Sequence, residues 1–466
     1  GALRVRTLGD LERAARGGRV ATVPGFGARA EENILKGIES IKRSSGRFLL
    51  GFLMPEIRGI EERLKNQKGV EAVTVAGSVR RRRETVGDVD ILAISDAPRR
   101  IMEYFTAMPE VIRVYAKGGT KASVRFTSGI DVDLRVVARE SYGAALSYFT
   151  GSKDHNIALR EIAVKKGLKL NEYGLWRKRG RNEERVAGKT EEEIYRALGL
   201  DYIEPEMREN AGEIELARSG KLPKLVGYGD LAGDLQVQTD WTDGSASIEA
   251  MARAAEARGL KYIAITDHTK WLAMMHGLNQ ARILKQIREI DRVNRKLKGR
   301  IRVLKGTECD IMRDGSLDLP DSILSKLEVV GVAVHSHFNL SRKEQTERVK
   351  RAILNPQVDI LFHPTGRIIQ KRDPYDMDID EVIQAAKRTG TVLEIDAYPS
   401  RLDLKDEYVR RCVEAGVRLS IDSDAHSPTH FPFLEYGIAQ ARRGWAERRD
   451  IINAWPLNKM IKMLKG

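Results

Sequence analysis

Two pairs of aspartates, each pair spaced two residues apart, are the residues of this sequence best suited to bind a divalent metal. Asp88 and Asp90 open an apolar run, and Asp131 and Asp133 lie within a second run at residues 130–137. Side chains two residues apart on a strand point to the same face, and carboxylates held that close repel one another unless a cation lies between them. A third carboxylate from a neighbouring strand would complete a two-metal site for displacement at phosphorus.

A bare Asp-x-Asp more often marks the exposed acidic end of a strand beside a solvated basic loop. Here the first pair follows a Gly77-Ser78 turn and an arginine run at 80–83. The backbone N–H groups and hydroxyl of the turn suit phosphate oxygens, and the arginines are natural charge partners for them. Together with the second acidic strand, these features favour a phosphate-binding metal site over the exposed strand end.

Histidines form the second constellation, because seven of the eight follow residue 267. Potential ligands stand directly after predicted strands: His268, Glu308, His335, His363, and the pair Asp424 and His426. Parallel α/β barrels keep their chemistry at the C-terminal ends of their strands. One such histidine is usually structural, but five coincidences predict a metal cluster.

The elements that must position these residues change character along the chain. Residues 1–47 read as helical, and short strands are predicted at 70–76, 88–95, 123–126 and 130–137. After residue 234, β-branched runs at 262–266, 301–304, 329–334, 358–362, 392–395 and 417–421 alternate with helical segments such as 283–297 and 344–353. This alternation predicts a parallel barrel. The expected domains are 1–48, 49–137, 138–218, a linker at 219–233, and 234–466.

Composition narrows the class of protein without deciding its function. The 466 residues are 42% apolar and 31% charged, which is typical of a soluble protein with two or three domains. No apolar run approaches the ~20 residues of a membrane span. The first residues lack a secretory signal, and Cys309 and Cys412 cannot build a disulfide framework, so we expect a cytoplasmic protein. The net charge of +14 suits a protein that follows a phosphate backbone, although many other proteins are as basic.

Residues 76–92 (AGSVRRRRETVGDVDIL) and 130–137 (IDVDLRVV) resemble the nucleotidyltransferase palm, and specifically the family X DNA polymerases. Residues 147–163 (SYFTGSKDHNIALREIA) and 170–176 (LNEYGLW) are similar to that family's nucleotide-contact segment and thumb, so the resemblance covers about residues 5–218. It implies that the catalytic carboxylates are Asp88, Asp90 and Asp133. Asp133 is preferred over Asp131 because the family pattern Asp-x-Arg fits Asp133-Leu134-Arg135.

The same resemblance assigns further roles. Gly77, Ser78 and Arg81 would hold the triphosphate, with Gly87 close to it, and Tyr148 and Phe149 would exclude a 2′-hydroxyl. The other assigned residues are Gly151 at the turn, Asn156 at the base edge and Arg160 on the templating side. Residues 23–27 (VPGFG) resemble one helix-hairpin-helix element, in which Gly25 and Gly27 would let the backbone approach a DNA phosphate. Nothing ahead of Thr7 matches the small helical lyase domain with which the family usually begins, so that domain and its activity are not expected.

From residue 234 onward the sequence resembles the PHP (polymerase and histidinol phosphatase) domain of bacterial and archaeal family X polymerases. That family uses nine ligands for up to three Mn²⁺ or Zn²⁺ ions, and seven match here: Asp243, His268, Glu308, His335, His363, Asp424 and His426. The opening His-x-His positions are Gln236 and Gln238. Because an amide oxygen is a weaker donor than imidazole for these ions, fewer than three metals are expected. His337 and His430 match no ligand position.

The sequence therefore predicts a multidomain α/β and α+β protein: a nucleotidyltransferase-type palm with helical fingers and a thumb, followed by a distorted (β/α)7 PHP barrel. The predicted function is template-directed, gap-filling DNA synthesis from dNTPs with Mg²⁺ or Mn²⁺ in the palm. Zn²⁺ or Mn²⁺ would occupy a barrel whose 3′–5′ exonuclease activity is weakened by Gln236 and Gln238. The expected partner is primer-template or gapped DNA, and the chain is expected to be a monomer. Two alternatives remain: mainly a metal-dependent 3′ exonuclease or AP-endonuclease, or a barrel that only binds DNA as a structural module.

Overall fold

The computed structural model describes Val5, residues 8–20, Val23, Gly27, and residues 34–35, 46–180 and 182–465. Within these ranges, no helix combines the length and apolar character needed to cross a lipid bilayer. A first helix, α1, spans Leu8–Arg16.

A five-stranded sheet follows α1 along the chain. Its strands are β2 (Val70–Val75), β4 (Asp88–Ser95), β5 (Val111–Lys117), β6 (Lys121–Phe126) and β7 (Asp131–Val136), and their order in the sheet is β2-β4-β7-β6-β5. Only β4 and β7 run parallel, and the other neighbours are antiparallel. The strands β6 and β7 alternate buried and half-buried residues along their whole length, as expected for a sheet with one face in the core.

Helices and two short strands complete this unit. Helices α2 (Leu50–Lys65) and α4 (Pro98–Thr106) supply buried apolar residues to the core beneath the sheet. The short helix α3 (Gly77–Arg80) follows β2, and β1 (Phe48–Leu49) pairs with β3 (Thr85–Val86) just before β4. The chain between β2 and β4 therefore begins and ends at the sheet edge that carries Asp88.

The next unit combines helices with a three-stranded antiparallel sheet. Helices α5 (Tyr142–Thr150), α6 (Lys153–Lys165), α7 (Glu191–Ala197) and α8 (Glu213–Ser219) surround β8 (Leu168–Asn171), β9 (Gly174–Arg179) and β10 (Asn182–Ala187). Ser152 caps α6 by accepting a hydrogen bond from the backbone N–H of His155. The residues between α8 and the next strand lie on the barrel, because Val226 is fully buried and its N–H donates to the carbonyl of Ala446 at 2.9 Å.

Seven parallel strands form the last unit, in sequential order. They are β11 (Gly233–Val237), β12 (Tyr262–Ile265), β13 (Arg302–Asp310), β14 (Val329–Ala333), β15 (Ile360–Leu361), β16 (Val392–Asp396) and β17 (Leu419–Asp422). A parallel bridge between Val237 and Ala425 brings the two edges together. Helices cover the outside: α9 (Ile248–Ala257), α10 (Gln280–Leu297), α11 (Asp321–Leu324), α12 (Arg342–Ile353), α13 (Ile379–Thr389), α14 (Asp406–Ala415), α15 (Leu434–Arg443) and α16 (Leu457–Lys465). The predicted fold class, a palm with a thumb followed by a seven-stranded barrel, is confirmed.

The strands β5 and β11 are among those that were not predicted from the sequence. β11 is short and polar at Asp234 and Gln236, both fully buried, so its composition does not read as a core strand. β5 is exposed along nearly its whole length and lacks the alternation of a half-buried strand.

The sheet unit packs directly on the barrel. At Gly51 in α2, an added Cβ would lie 2.6 Å from the side chain of Pro399, so only glycine permits this approach. Arg58 donates to Glu435 at 2.5 Å, and Arg367 donates to Glu84 at 2.7 Å. The barrel therefore touches the chain on both sides of β2, next to the acidic edge of the sheet.

Candidate active site and candidate metal centre

Three carboxylates converge at the edge of the five-stranded sheet. The parallel register of β4 and β7 sets Asp88 beside Asp131 and Asp90 beside Asp133. Burial, together with the negative charges of Asp88 and Asp133, raises the pKa of Asp90 to about 6. A divalent cation would relieve this repulsion, so the donor set fits a metal site.

Asp131 has a different environment. Arg125 donates to its two carboxylate oxygens, Nε to Oδ1 and Nη2 to Oδ2, both at 2.8 Å. Hydrogen bonding to Arg125 holds the pKa of Asp131 below its usual value. Asp133 instead accepts a 2.5 Å hydrogen bond from the Ser123 hydroxyl and lies 3.4 Å from Lys121 Nζ. Asp131 is thus already neutralised by the protein.

Gly77 permits the turn that faces these acids. Its φ is +63°, and a Cβ at this position would lie 2.6 Å from Oδ2 of Asp90. A side chain there would be strained and would displace the carboxylate. The glycine of the predicted phosphate turn is therefore also required by the acidic site.

A cavity of about 710 Å³ opens beside Asp88 and Asp90. Its wall includes eleven residues predicted from the sequence: Gly77, Ser78, Arg81, Gly87, Asp88, Asp90, Tyr148, Phe149, Gly151, Asn156 and Arg160. Asp133 is not among the lining residues but lies beside Asp90 on the next strand. The cavity is large enough to hold a nucleotide-sized ligand.

The basic run before β4 is divided among several partners. Arg81 lines the cavity, whereas Arg80 pairs with the buried Glu191 at 2.6 Å and Arg82 with Glu435 at 3.0 Å. Arg80 and Arg82, whose guanidinium groups bind acids of the protein, are not among the residues that line the cavity. Arg83 lines the cavity as well.

Aromatic residues form one wall of the cavity. Tyr148 is 39% exposed, and its ring meets Phe149 edge to face at 5.1 Å between centroids. The guanidinium of Arg135 lies 4.5 Å from the centroid of Phe149. Asn156 donates from Nδ2 to the carbonyl of Tyr148 at 2.7 Å, which ties α6 to the end of α5.

Three further lining residues were not predicted from the sequence: Arg47, Lys153 and Glu209. Lys153 lies inside the segment 147–163, so its charge could have indicated a phosphate contact. Arg47 is held by Thr85, to which it donates at 3.0 Å, and no local pattern marks it. Glu209 is an acid among the cations of the cavity wall, and no sequence pattern predicts that it lies there. Of the predicted hairpin, Gly25 lies outside the described residues and Gly27 is described alone.

A second cluster surrounds Glu308 inside the barrel. Glu308 is fully buried, and His363 Nε2 and His335 Nε2 lie 2.8 Å and 3.0 Å from its Oε1. Its Oε2 accepts hydrogen bonds from Gln236 Nε2 at 3.2 Å and Gln238 Nε2 at 2.8 Å. The histidines outweigh burial and hold the pKa of Glu308 well below its usual value.

Asp243 joins the cluster from the mouth of the barrel. His426 Nε2 and His268 Nε2 lie 3.2 Å and 3.6 Å from its Oδ2. Burial opposes charge on His426, yet the carboxylates of Asp424 and Asp243 raise its pKa to about 10. Arg401, which was not predicted, lies with Nε 3.7 Å from Oδ2 of Asp424.

The donor atoms of the barrel fit divalent metals in two overlapping sets. Asp243, His268 and His426 offer ligand atoms within 4.8 Å of one another, and so do His268, Glu308 and His335. In the described part of the chain, the Oε1 atoms of Gln236 and Gln238 are buried without hydrogen-bond partners, so each could face a cation. As neutral oxygen donors they bind Zn²⁺ or Mn²⁺ more weakly than imidazole does.

Two protein-family models match separate parts of the chain. Residues 145–209 match the family model described as DNA polymerase beta thumb, and residues 234–455 match the PHP domain. The chain is 37% identical over 465 residues to the DNA polymerase/3'-5' exonuclease PolX of Bacillus subtilis (strain 168), covering 99% of this chain and 81% of that relative.

Two other similarities are partial. A probable phosphatase of Thermoanaerobacter sp. (strain X514) is 34% identical over 39% of this chain and 72% of its own length. The crystal structure of Leishmania infantum polymerase beta in a ternary complex is 24% identical, covering 44% of this chain and 89% of that one, with a TM-score of 0.32. A score that low assigns no shared fold.

Proposed function

This chain belongs to the family X DNA polymerases that carry a PHP domain, and from that premise we propose that it performs template-directed, gap-filling DNA synthesis. The observation that carries this proposal is the convergence of Asp88, Asp90 and Asp133 beside a basic cavity of nucleotide size. Primer-template or gapped DNA and dNTPs are the proposed substrates.

The three carboxylates are proposed to hold Mg²⁺ or Mn²⁺ in the palm. When bound, such cations supply Lewis acidity that activates an attacking oxygen and neutralises charge on phosphate, in the palm and in the barrel alike. Asp88 and Asp90, on one strand, would fix the primer end against the α-phosphate, and Asp133 would complete the set from the next strand. Asp131 is proposed to have no such role because Arg125 already pairs with it.

The cavity wall is proposed to hold the incoming nucleotide. Ser78 and Arg81 would bind its phosphates, together with backbone N–H groups near Gly77. Lys153 and Arg83 add positive charge to the same cavity. This division leaves the aromatic wall for the sugar.

Sugar and base selection are proposed for the opposite wall. Tyr148 and Phe149 would lie against the deoxyribose and exclude a 2′-hydroxyl, with Gly151 opening the turn. Asn156 would face the base edge and Arg160 the template. The hydrogen bond that Asn156 donates to the Tyr148 carbonyl supports this proposal, because it holds the side chain for the base next to the residue for the sugar.

The barrel is proposed to retain a weakened phosphoester-hydrolysing centre. The two sets of ligand atoms that share His268 support one or two bound ions, Zn²⁺ or Mn²⁺. The pair Gln236 and Gln238 cannot supply imidazole, which supports a loss of the third ion and of most 3′–5′ exonuclease activity. The orphaned amide oxygens favour this over a purely structural barrel.

Primer extension on gapped DNA tests the proposal. With dNTPs and Mg²⁺ or Mn²⁺, the primer should lengthen by the size of the gap, and chelation of the metal should stop it. Without dNTPs, the same primer should shorten slowly, and mainly at high Mn²⁺. A primer that shortens quickly and never lengthens would indicate the exonuclease or endonuclease alternative instead.

A further inference from the structure

Helix α15 of the barrel reaches the turn that lines the nucleotide cavity. Its last residue, Arg443, has a side chain only 3% exposed, although it lies between two separate units of the chain. A buried guanidinium is costly unless every donor is paired. The partners of Arg443 therefore indicate what this arginine holds in place.

Arg443 contacts both the backbone and an acid of the cavity wall. Its Nη1 donates to the carbonyl of Arg81 at 2.9 Å and to Oε1 of Glu209 at 3.0 Å. Its Nε and Nη2 donate to Oδ2 of Asp406 at 2.9 Å and 2.6 Å, which anchors the guanidinium in the barrel. One side chain of the barrel thus fixes two points beside the cavity.

Glu209 carries this contact on to the guanidinium of Arg81. The same Oε1 atom that accepts from Arg443 also accepts from Arg81 Nε at 3.2 Å. Arg81 Nη1 donates to the carbonyl of Thr150, and among the described residues Nη2 of Arg81 makes no hydrogen bond. The guanidinium is therefore held on two sides in the cavity wall, with one nitrogen left for a ligand.

Neighbouring residues of the turn are held by the barrel as well. Arg82 pairs with Glu435 at 3.0 Å, on the same helix α15, and Glu84 accepts from Arg367 at 2.7 Å. Of the five residues at 80–84, Arg81, Arg82 and Glu84 are therefore bound to side chains of the barrel.

We propose that Arg443 is a positioning residue for nucleotide incorporation: through the Arg81 carbonyl and Glu209 it fixes the Arg81 guanidinium for the triphosphate. The barrel then sets the affinity of the polymerase cavity for its nucleotide, independently of any hydrolysis in the barrel. This inference rests on the proposed binding of phosphate by Arg81. Pre-organised arginine loses less entropy when phosphate binds, so loosening it should weaken nucleotide binding more than it slows chemistry.

The test is single-turnover insertion of one nucleotide into gapped DNA, which separates the Kd for dNTP from the maximal rate. Arg443→Gln should raise the Kd for dNTP about 10-fold, the scale of one lost hydrogen bond to a charged group. The maximal rate and the Kd for DNA should change less than about threefold. The KM for pyrophosphate in the reverse reaction should rise in parallel, because pyrophosphate occupies the same subsite.

Matched variants separate positioning from general damage. Arg449→Gln removes another barrel arginine, 77% exposed, and should leave the Kd for dNTP unchanged. Arg443→Lys, which can still donate to the Arg81 carbonyl, should recover part of the affinity. If Arg443→Gln fails to fold, Arg443→Lys and Glu209→Gln must each raise the Kd for dNTP in the folded protein, and no rise in either overturns the inference.

The two proposals fail in different ways. An unchanged Kd for dNTP in Arg443→Gln, alongside a large rise in Arg81→Ala, overturns the role of Arg443 and leaves the proposed triphosphate site intact. No rise in Arg81→Ala overturns the triphosphate site itself. Additive effects of Arg443→Gln and Glu209→Gln would also contradict the inference, because residues that act through one another are not additive.

Discussion

Asp131 is held by Arg125 through two hydrogen bonds of 2.8 Å, while Asp133, two residues further along the same strand, faces Asp90 across the parallel register. Both acids belong to β7 and both are partly exposed. The arginine gives Asp131 a counter-ion from the protein. Asp133 contributes instead to the raised pKa of Asp90, which indicates that its charge is directed at the acidic site.

This difference predicts opposite outcomes for two otherwise similar substitutions. Asp133→Ala should reduce primer extension by at least ~10³-fold, because it removes a metal-bearing carboxylate and its share of transition-state charge stabilisation. Asp131→Ala should retain most activity, because it removes only a surface ion pair. The maximal rate of single-nucleotide insertion measures both. An essential Asp131 together with a dispensable Asp133 would show that the site uses the other register pair.

The Asp90 carboxylate should lower the stability of the metal-free fold while being required for primer extension. Its pKa is raised from 3.8 to about 6, so its ionised form destabilises the metal-free folded state at neutral pH. Asp90→Asn should therefore stabilise the metal-free protein by on the order of 2 kcal/mol at neutral pH while abolishing extension.

The sign of the pH dependence follows from the same shift. The advantage of Asp90→Asn should be full above pH about 6 and should shrink as the pH falls toward 3.8, where the folded and unfolded states both bind the proton. Thermal unfolding in a chelator at neutral pH and at about pH 4.5 measures it. A variant that is less stable than the parent at neutral pH would show that Asp90 is not under charge strain.

Tyr148 should control the choice of sugar. Because its ring is 39% exposed in the cavity and backed by Phe149, Tyr148→Ala should raise the use of ribonucleotides relative to deoxyribonucleotides by about 10-fold or more. Phe149→Ala should do the same and should also lower the overall rate, because Arg135 loses its aromatic contact. Tyr173→Ala is the control, because Tyr173 lies between β8 and β9 of the same unit and is 61% exposed without lining the cavity. Equal sugar ratios in Tyr148→Ala, Phe149→Ala and the parent would remove the aromatic wall from this role.

Replacing Gln236 and Gln238 together by His should restore hydrolysis in the barrel. Both amides lie within hydrogen-bond distance of Glu308, so imidazoles there would face the same cluster. We expect exonuclease activity to rise by at least ~10–100-fold, the range lost when even supporting groups of a metal site are removed. The number of bound metals should rise with it, while extension stays unchanged.

Two controls define this experiment. The added His363→Ala substitution should abolish the restored activity, and Asp90→Asn should leave it intact. Rapid shortening of primers by the unmodified chain, sensitive to His363→Ala, would show that glutamine suffices as a ligand at these positions.

Local periodicity carried most of what could be read from the sequence. The period of two along a strand was enough to bring Asp88 and Asp90 to one face, and strand ends were enough to gather His268, Glu308 and His335 in one barrel mouth. What escaped prediction depends on contacts between distant positions. Arg443 and Arg81 are 362 positions apart, and neither residue lies in a sequence pattern that predicts its contact with the other.

Exposed strands and isolated charged residues also could not be predicted from the sequence. β5 is an edge strand with little burial, so its apolar residues show no alternation from which a strand could be inferred. Arg401 escaped because one arginine after a strand has no distinctive spacing, although it lies beside Asp424 in the barrel. Glu209 escaped because an acid that positions an arginine cannot be distinguished, in sequence, from one that faces solvent.

We propose that the acidic edge of the five-stranded sheet adds nucleotides under the direction of a template. The most direct measurement is insertion into a one-nucleotide gap opposite each of the four template bases, by the parent chain and by Asp90→Asn, with Mg²⁺ present. We expect the parent to add the complementary nucleotide in preference to the other three at every template base, and Asp90→Asn to add none. Insertion that ignores the template base, or that persists in Asp90→Asn, would contradict it.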